Sequence, residues 1–357
     1  MNSPFRYLLL PFAWLYGIGV VIRNKLFDWQ ILKPTSFDLP VIGIGNLSAG
    51  GTGKTPTAEY VLKLLLENGL NPALLSRGYG RKTKGFLEVM TDSLSINVGD
   101  EPYQVKRKFP EVYVTVCEDR VIGVENILYF KPETDVIVLD DSFQHRKIKP
   151  GFNILLTDYS RPYYHDLLLP AGMLREPISG RKRANVIIVT KSPEDIDDQS
   201  KIKIKHKLKA RSDQQVYFTS IAYQPLQNAF NEDVMPLNNL NKFKILLFTG
   251  IANTTPLEKF LGNKNIDYKL IKYPDHHSFS NTEAENIISE WKSISGNDKI
   301  LLTTEKDWRR MEGTEQAGLF SGLPLYYLPI AMQGNPAEML IFDKTVIEYV
   351  QRNRAGS

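Results

Sequence analysis

The chain has 357 residues, of which 42% are hydrophobic and 24% are charged, a composition that excludes a disordered or fibrous protein. This length favours two domains. The formal net charge of +4 is too small to indicate nucleic-acid binding. The single cysteine, Cys117, excludes an internal disulfide framework and is typical of a reducing compartment.

The N-terminal segment is more apolar than the rest of the chain. Residues 7–22 carry no charge, with Arg6 before them and Arg23 and Lys25 after them. These sixteen residues are fewer than the roughly 20 that a helix needs to cross a bilayer, and Pro11 interrupts the run. A core helix packed on the main domain and a helix lying in or against one membrane leaflet are both possible. The aromatic residues in the segment favour the membrane helix.

A glycine-rich turn joins the first predicted strand, Val41–Ile44, to a predicted helix, Thr57–Leu66. Its small residues let backbone N–H groups close around phosphates at the positive end of a helix, although Ser48 replaces the usual first glycine. Lys54 would reach the β- and γ-phosphates, and the Thr55 hydroxyl would bind Mg²⁺. The predicted nucleotide-binding residues are Ser48, Ala49, Gly50, Gly51, Thr52, Gly53, Lys54 and Thr55.

Two acidic pairs and one histidine pair invite a catalytic interpretation. The apolar run at residues 135–141 ends in Asp140 and Asp141, which are suited either to Mg²⁺ beside the phosphate loop or to capping the strand end. Residues 98–102 place Asp100 and Glu101 in a glycine–proline turn, away from helix and sheet, where an acid is a cap or a base. The pair His276 and His277 follows Asp275, and a carboxylate–imidazole pair can take a proton from an attacking hydroxyl.

The segment after residue 186 bears on the base of the nucleotide and on the next helix. Guanine-specific phosphate-loop proteins usually have an Asp where this chain has Pro193, so adenine is favoured. Residues 192–195 have the cap, proline and acids of a helix start. The alternate lysines at 201–209 suit a strand, but the cap favours a helix. A solvated face is the default interpretation of these lysines, and contact with anionic lipid is the alternative.

A second α/β unit spans residues 244–304. The extended segments 216–222 and 325–330 flank it, and we predict that they pair as a two-stranded linker. The final helix, around residues 342–352, is predicted to pack on the first domain. The predicted units are an N-terminal helix at 1–28, a phosphate-loop domain at 29–215, a smaller domain with its linker strands at 216–330, and a C-terminal helix at 331–357.

Short apolar runs without polar alternation are typical of strands buried on both faces, and their alternation with helices predicts a parallel sheet. The fold class is therefore a P-loop NTPase-like α/β/α sandwich with a mainly parallel sheet, a smaller α/β domain and an N-terminal membrane-associated helix. Besides the strand before the phosphate loop, the runs lie at residues 73–75, 112–116, 136–139, 154–156 and 186–189.

The ordered combination of motifs resembles the tetraacyldisaccharide 4'-kinases, the lipid A kinases of Gram-negative bacteria. The similarity begins with the N-terminal apolar helix and covers most of the chain. The matching segments are 45–56, 76–80, 99–102, 140–145, 169–177, 275–276 and 304–307.

The resemblance implies Mg²⁺-dependent transfer of the γ-phosphate of ATP to the 4'-hydroxyl of tetraacyldisaccharide 1-phosphate. It also implies peripheral attachment to the cytoplasmic face of the bacterial inner membrane. Asp100 corresponds to the general base and His276 to its partner, although His277 could take that place. Thr55, Asp140 and Asp141 correspond to the Mg²⁺ ligands. The residues assigned to the substrate or to ordering the site are Arg77, Tyr79, Glu101, Arg120, Gln144 and Glu176.

Two other functions fit parts of the sequence. Partitioning and positioning ATPases are membrane-associated P-loop switches, but they carry a lysine where this chain has Ala49. A non-catalytic nucleotide-binding scaffold does not need Lys54, Asp140 and Asp141 together.

One departure from the family pattern is Ser142, where the family usually has Gly after the paired acids.

Overall fold

Two mainly parallel sheets organise the chain in a computed structural model that describes residues 4–354. The strands are β1 Val41–Asn46, β2 Pro72–Ser76, β3 Leu87–Glu88, β4 Tyr113–Val116, β5 Val136–Leu139, β6 Phe152–Asp158, β7 Val186–Thr190, β8 Gln215–Tyr223, β9 Leu226–Asn228, β10 Val234–Met235, β11 Lys244–Thr249, β12 Tyr268–Lys272, β13 Lys299–Thr304, β14 Leu325–Leu328 and β15 Ile330–Gly334.

Helices cover both sheets. The α-helices are α1 Leu10–Asp28, α2 Lys54–Glu67, α3 Ser95–Val98, α4 Asp100–Lys108, α5 Arg120–Phe130, α6 Asp198–Leu208, α7 Thr255–Asn263, α8 Asn281–Ser293, α9 Glu305–Met311, α10 Glu315–Leu319 and α11 Pro336–Arg354. Short 3-10 helices lie at Pro4–Leu9, Tyr163–His165, Ile178–Arg183 and Leu237–Lys242.

The nine-stranded sheet has the order β15-β8-β7-β6-β1-β5-β2-β4-β3 and, with its helices, forms what we call the first lobe. Its strands from β8 to β4 are parallel, and only β15 and β3 at the two edges are antiparallel. Every residue of β1, β2, β5 and β7 is buried, because helices cover both faces. The predicted α/β/α sandwich with a mainly parallel sheet is confirmed.

The six-stranded sheet, β10-β9-β14-β13-β11-β12, forms the second lobe. The chain leaves the first lobe through β8 and returns through β15, and these two strands pair antiparallel from Tyr223 with Ile330 to Thr219 with Gly334. The prediction that residues 325–330 form this pair is wrong for β14, which lies parallel to β13 inside the second sheet. Two consecutive extended runs, β14 and β15, look alike in sequence but belong to different sheets.

Helix α6 begins later than the sequence predicts. Ser192 donates its backbone N–H to Thr219 and its hydroxyl to Val189, so it completes the end of β7 and cannot cap a helix. Asp197 is the actual cap and accepts the backbone N–H of Ser200 at 2.8 Å. The lysines at 201–207 lie on this helix, as predicted, and Lys209 follows it in a left-handed conformation.

Helix α1 is longer than its apolar run. Pro11 lies in its first turn, where proline is tolerated, so the expected interruption does not occur. Within residues 4–354, Arg6–Asp28 is the one helical segment that is long and apolar enough to cross a membrane. Ala13 and Gly17 are buried against the first lobe, while the neighbouring large apolar side chains are exposed. These exposed side chains are Tyr7, Leu8, Phe12, Trp14, Leu15, Ile18 and Ile22.

The two lobes meet where α9 crosses α4, and their contact is largely electrostatic. Ion pairs join residues of the two lobes: Arg310 with Asp100 at 2.9 Å, Lys306 with Glu101 at 3.6 Å, Arg107 with Glu312 at 2.8 Å, and Lys108 with Glu305 at 3.9 Å. Because the two acids begin α4 and the two bases end it, and each faces an opposite charge, the pairs fix how α9 lies on α4.

Helix α11 packs on the first lobe through Phe342, which is fully buried and contacts the rings of Tyr60 and Tyr217 at centroid distances of 6.1 and 5.4 Å. Phe342→Ala should lower the free energy of unfolding by about 3–5 kcal/mol, since it leaves a cavity. Leu340→Ala on the exposed face of the same helix should change it by less than about 0.5 kcal/mol. Urea unfolding measures both, and equal losses would contradict this packing.

Candidate active site

The phosphate loop connects β1 to α2, as predicted. Gly53, with φ at +83°, is the residue before the helix, and no side chain caps the N-terminus. The backbone N–H groups of Lys54 and Thr55 therefore lie in the uncapped first turn, where the helix end is positive. Both side chains are half-buried, as expected for groups that face a bound phosphate.

The rest of the loop is held by its neighbours. The backbone N–H of Ala49 donates to Met173 at 2.7 Å, so this predicted phosphate donor is already engaged. The Thr190 hydroxyl donates to the carbonyl of Thr52 at 2.9 Å, and Lys191 donates to the carbonyl of Gly51. The end of β7 thus supports the loop from one side and the segment before residue 175 from the other.

Asp140 follows β5, which pairs with β1, and its carboxylate lies beside the phosphate loop in the protein interior. Its Oδ2 accepts the Ser76 hydroxyl at 3.3 Å, while its Oδ1 is buried without a hydrogen-bond partner among residues 4–354. Burial raises the pKa of Asp140 to about 7, and the charges of Glu101 and Asp141 contribute to the rise. A buried, unpaired carboxylate oxygen of this kind is what a cation would satisfy.

Asp141 has the opposite environment, although it is the next residue. Arg175 donates to both of its oxygens, at 2.7 and 3.0 Å, and Lys54 lies 3.8 Å away. Burial opposes ionisation, but the hydrogen bonds from Arg175 and the charge of Lys54 outweigh it and lower the pKa of Asp141 to about 2. Arg175 also donates to Asn46 at the end of β1, so it ties the acids to the phosphate loop.

Three of the residues assigned to the substrate or to site ordering lie where they order the site. Arg120 is almost fully buried and donates to the carbonyls of Cys117 and Asp140, at 2.5 and 3.2 Å. Gln144 donates to Glu176 at 2.8 Å, and the fully buried Glu176 also accepts from Arg183 at 2.6 Å. The contacts of these three side chains are with other protein groups, which they hold in place.

Two glycines bring the remaining predicted residues together. Gly78 and Gly99 both have positive φ, and a Cβ on Gly99 would lie 3.1 Å from the Cα of Gly78. This close approach sets Asp100 beside the loop that carries Arg77 and Tyr79, whose side chains are exposed. Asp100 is not in an irregular turn, as the sequence predicts, but is the first residue of α4.

Asp100 meets a histidine of the second lobe. His276 Nδ1 lies 3.4 Å from Asp100 Oδ2, and its ring contacts Tyr79 edge to face at a centroid distance of 6.1 Å. His277 turns away, since its Nε2 lies 2.9 Å from Glu283. His276 has φ at +58°, which sends the two adjacent imidazoles in different directions. The geometry therefore selects His276.

Sequence reasoning missed several residues of this cluster. Arg175 lies inside a segment that carries the family resemblance, next to the assigned Glu176, so its position was a usable signal. Lys306 lies 3.3 Å from His276 Nε2 and 3.6 Å from Glu101, again inside such a segment. Arg310 lies outside every such segment, and nothing in the sequence pointed to it.

The paired acids should affect stability in opposite ways when Mg²⁺ is absent. The folded-state pKa of Asp140 is raised, so its ionisation costs stability as pH rises above about 4, and Asp140→Asn should stabilise the protein at pH 7. The pKa of Asp141 is depressed, so its stabilisation is present above about pH 4 and lost as pH falls toward 2. Asp141→Asn should therefore destabilise at pH 7, by about 1–2 kcal/mol.

Urea unfolding in a chelating buffer between pH 8 and pH 4 checks this prediction. The rise in the free energy of unfolding caused by Asp140→Asn should shrink toward pH 4. The fall caused by Asp141→Asn should persist over this range and shrink only at lower pH. A destabilising Asp140→Asn at pH 7 would contradict the unpaired state of that carboxylate.

Comparison with known proteins places this site in a family. The family profile described as "Tetraacyldisaccharide-1-P 4'-kinase" matches residues 5–346. Proteins named tetraacyldisaccharide 4'-kinase from Phocaeicola vulgatus and Flavobacterium johnsoniae are 40% and 42% identical to this chain; the alignments cover 98% of this chain in both cases, and 96% and 98% of the relatives.

A solved structure extends the comparison. It is described as the "apo" form of LpxK from Aquifex aeolicus in complex with ATP, and it matches with a TM-score of 0.75 and 30% sequence identity over 97% of this chain and 99% of that chain. Sequence and fold therefore agree over almost the whole length, and the chain belongs to the tetraacyldisaccharide-1-P 4'-kinase family.

Proposed function

We propose that this protein transfers the γ-phosphate of ATP to the 4'-hydroxyl of tetraacyldisaccharide 1-phosphate. The observation that carries the proposal is the convergence of three groups at one edge of the first sheet. These are the uncapped phosphate loop, the acids Asp140 and Asp141, and the pair Asp100 with His276. The family relationship supplies the substrate and the reaction. It also disfavours the alternative, a membrane-associated P-loop switch ATPase.

The nucleotide lies on the loop at residues 48–55, with Lys54 on the terminal phosphates. Thr55, Asp140 and Asp141 are the groups that would hold Mg²⁺. The unpaired Oδ1 of Asp140 suits direct contact with a cation, whereas Asp141, whose oxygens accept from Arg175, would act through water. No cluster of three or more acidic, histidine or cysteine ligands exists within residues 4–354, so a bound Mg²⁺ would need phosphate oxygens and water as further ligands. When bound, Mg²⁺ neutralises charge that develops on the phosphates.

Asp100 is the general base of this proposal. Within residues 4–354 no hydrogen bond reaches its Oδ1, whereas Oδ2 contacts His276 and Arg310. Asp100 Oδ1 can accept the proton of the 4'-hydroxyl while the hydroxyl oxygen attacks the γ-phosphorus. The nearby imidazole stabilises the carboxylate and can relay the proton to solvent, since its side chain is 41% exposed.

The substrate headgroup lies against exposed and half-buried residues at the mouth of the site. Arg77 and Tyr79 belong to the loop after β2, and Glu101 follows the proposed base, so these three can reach a sugar or phosphate. The buried Arg120 and Glu176 and the half-buried Gln144 keep the loops in place instead. This division refines the set of residues assigned from the resemblance.

Helix α1 is proposed to attach the protein to the cytoplasmic face of the bacterial inner membrane. Its exposed apolar face suits a bilayer that holds a substrate with four acyl chains. Its other face is committed to the first lobe, with Tyr16 donating to the carbonyl of Arg175 at 2.7 Å and Asn24 lying 3.5 Å from Glu176. A helix with one face fixed in this way lies in one leaflet and does not span the bilayer.

Phosphate transfer from γ-labelled ATP to tetraacyldisaccharide 1-phosphate in detergent micelles with Mg²⁺ tests the function. The wild-type protein should label the lipid. Lys54→Ala should abolish labelling, and Asp100→Ala should lower turnover by about 10²–10⁴-fold at saturating ATP. ATP hydrolysis without lipid labelling would instead support the switch ATPase, and no turnover of either kind would leave a nucleotide-binding scaffold.

Membrane attachment can be tested by sedimentation with vesicles of phosphatidylethanolamine and phosphatidylglycerol. Trp14→Ser with Leu15→Ser removes two side chains that are 70% and 68% exposed, and the bound fraction should fall by about tenfold or more. Tyr129→Ser with Leu340→Ser is the matched control, since these side chains are 79% and 71% exposed and lie on α5 and α11. Equal binding by both double variants would contradict the role of α1.

A further inference from the structure

The carboxylate of Asp100 is oriented by two side chains from the second lobe. Arg310 donates its Nε to Oδ2 at 2.9 Å, and His276 Nδ1 lies 3.4 Å from the same oxygen. Oδ1, the other oxygen, accepts no hydrogen bond within residues 4–354. One oxygen is therefore held and the other is open, and the stronger of the two contacts comes from Arg310 rather than from the histidine.

Arg310 is itself fixed by a buried carboxylate. Its Nη1 donates to Asp307 Oδ1 at 3.1 Å, and Asp307 is fully buried. Asp307 Oδ2 accepts the hydroxyls of Thr249 and Thr304, both at 2.6 Å, and the backbone N–H of Gly250 at 3.1 Å. The guanidinium is thereby anchored to the ends of β11 and β13, so it does not depend on its own short helix alone.

The same anchor carries the histidine. The backbone N–H of His276 donates to the carbonyl of Gly250 at 3.1 Å, and Arg310 Nη1 also donates to the carbonyl of His277 at 3.2 Å. His276 and Arg310 are therefore held together at the carboxyl end of β11. Both reach across to the first lobe and meet there at a single atom, Asp100 Oδ2.

Arg310 is buried, and one of its nitrogen atoms has no hydrogen-bond partner within residues 4–354. Its side chain is 8% exposed, and this nitrogen is Nη2. An unpaired buried donor is costly. The fold tolerates that cost while keeping the charge against Asp100, which points to a use at the site.

We propose that Arg310 is a positioning residue for phosphate transfer. It holds Asp100 by Oδ2 so that Oδ1 faces the acceptor hydroxyl, and it does so only while α9 of the second lobe lies on α4 of the first. The inference rests on the proposed function, because it assigns Arg310 to the base of that reaction. The second lobe then contacts the base twice, through the charged guanidinium of Arg310 and through the imidazole of His276.

Steady-state transfer assays on Arg310→Ala, Arg310→Lys and Asp100→Ala, alone and combined, test the inference. Arg310→Ala should lower kcat by about 10–100-fold and leave the KM for ATP within about twofold, since the phosphate loop is untouched. Arg310→Lys should recover part of the loss, because an ammonium keeps the charge but lacks the planar fork. Arg310→Ala added to Asp100→Ala should cause no further loss, because both act through one group.

Arg107→Ala is the matched control. Arg107 also joins the lobes, through its 2.8 Å ion pair with Glu312, but it contacts no group of the site. The kcat of Arg107→Ala should therefore stay within about twofold of the wild-type value. Thermal melts of all variants separate loss of fold from loss of rate. Equal losses for Arg107→Ala and Arg310→Ala, or losses from Arg310→Ala and Asp100→Ala that simply multiply, would reduce Arg310 to a structural contact.

The two proposals fail in different ways in this experiment. If wild-type protein labels no lipid, the proposed function is wrong. If wild-type protein labels lipid and Arg310→Ala does so at the same rate, the function stands and the inference about Arg310 is wrong.

Discussion

Parallel pairing of β1, β5 and β2 is the constraint on which the rest of the site depends. Parallel strands end at the same edge of a sheet, and these three are successive neighbours. The phosphate loop follows β1, the paired acids follow β5, and the loop with Arg77 and Tyr79 follows β2. Residues that are distant in the chain therefore meet without any long irregular segment to carry them.

Charge at that edge is divided unevenly between adjacent residues. Asp141 is neutralised by Arg175 and Lys54, whereas Asp140 is buried with one oxygen unpaired. A site with both carboxylates fully paired would gain little from a cation, and one with neither paired would be hard to fold. The paired Asp141 keeps the loops of the site in place, and the unpaired oxygen of Asp140 is left for a cation to bind.

The second lobe contacts this edge through charged rather than apolar side chains. Four ion pairs join α4 to α9 and to Glu312, the residue that follows α9. Such contacts can separate and re-form at lower cost than a hydrophobic interface. Helix α1 approaches the same edge from another side, through Tyr16 and Asn24. The site therefore lies between a membrane-suited helix and a second lobe, and both contact the loops that hold its charged groups.

The sandwich, the phosphate loop, the paired acids and the family can be predicted from the chain alone, because they depend on local patterns: apolar runs, glycine spacing and short motifs. Local patterns do not choose between two adjacent histidines of equal chemistry, place Asp100 at a helix start, or tell β15 from β14. These points depend on tertiary packing, which also brings Arg175 and Arg310 to carboxylates that lie 34 and 210 residues away in the chain. Local sequence sets backbone preference and burial, whereas the partner of a buried charge is set by how distant elements pack.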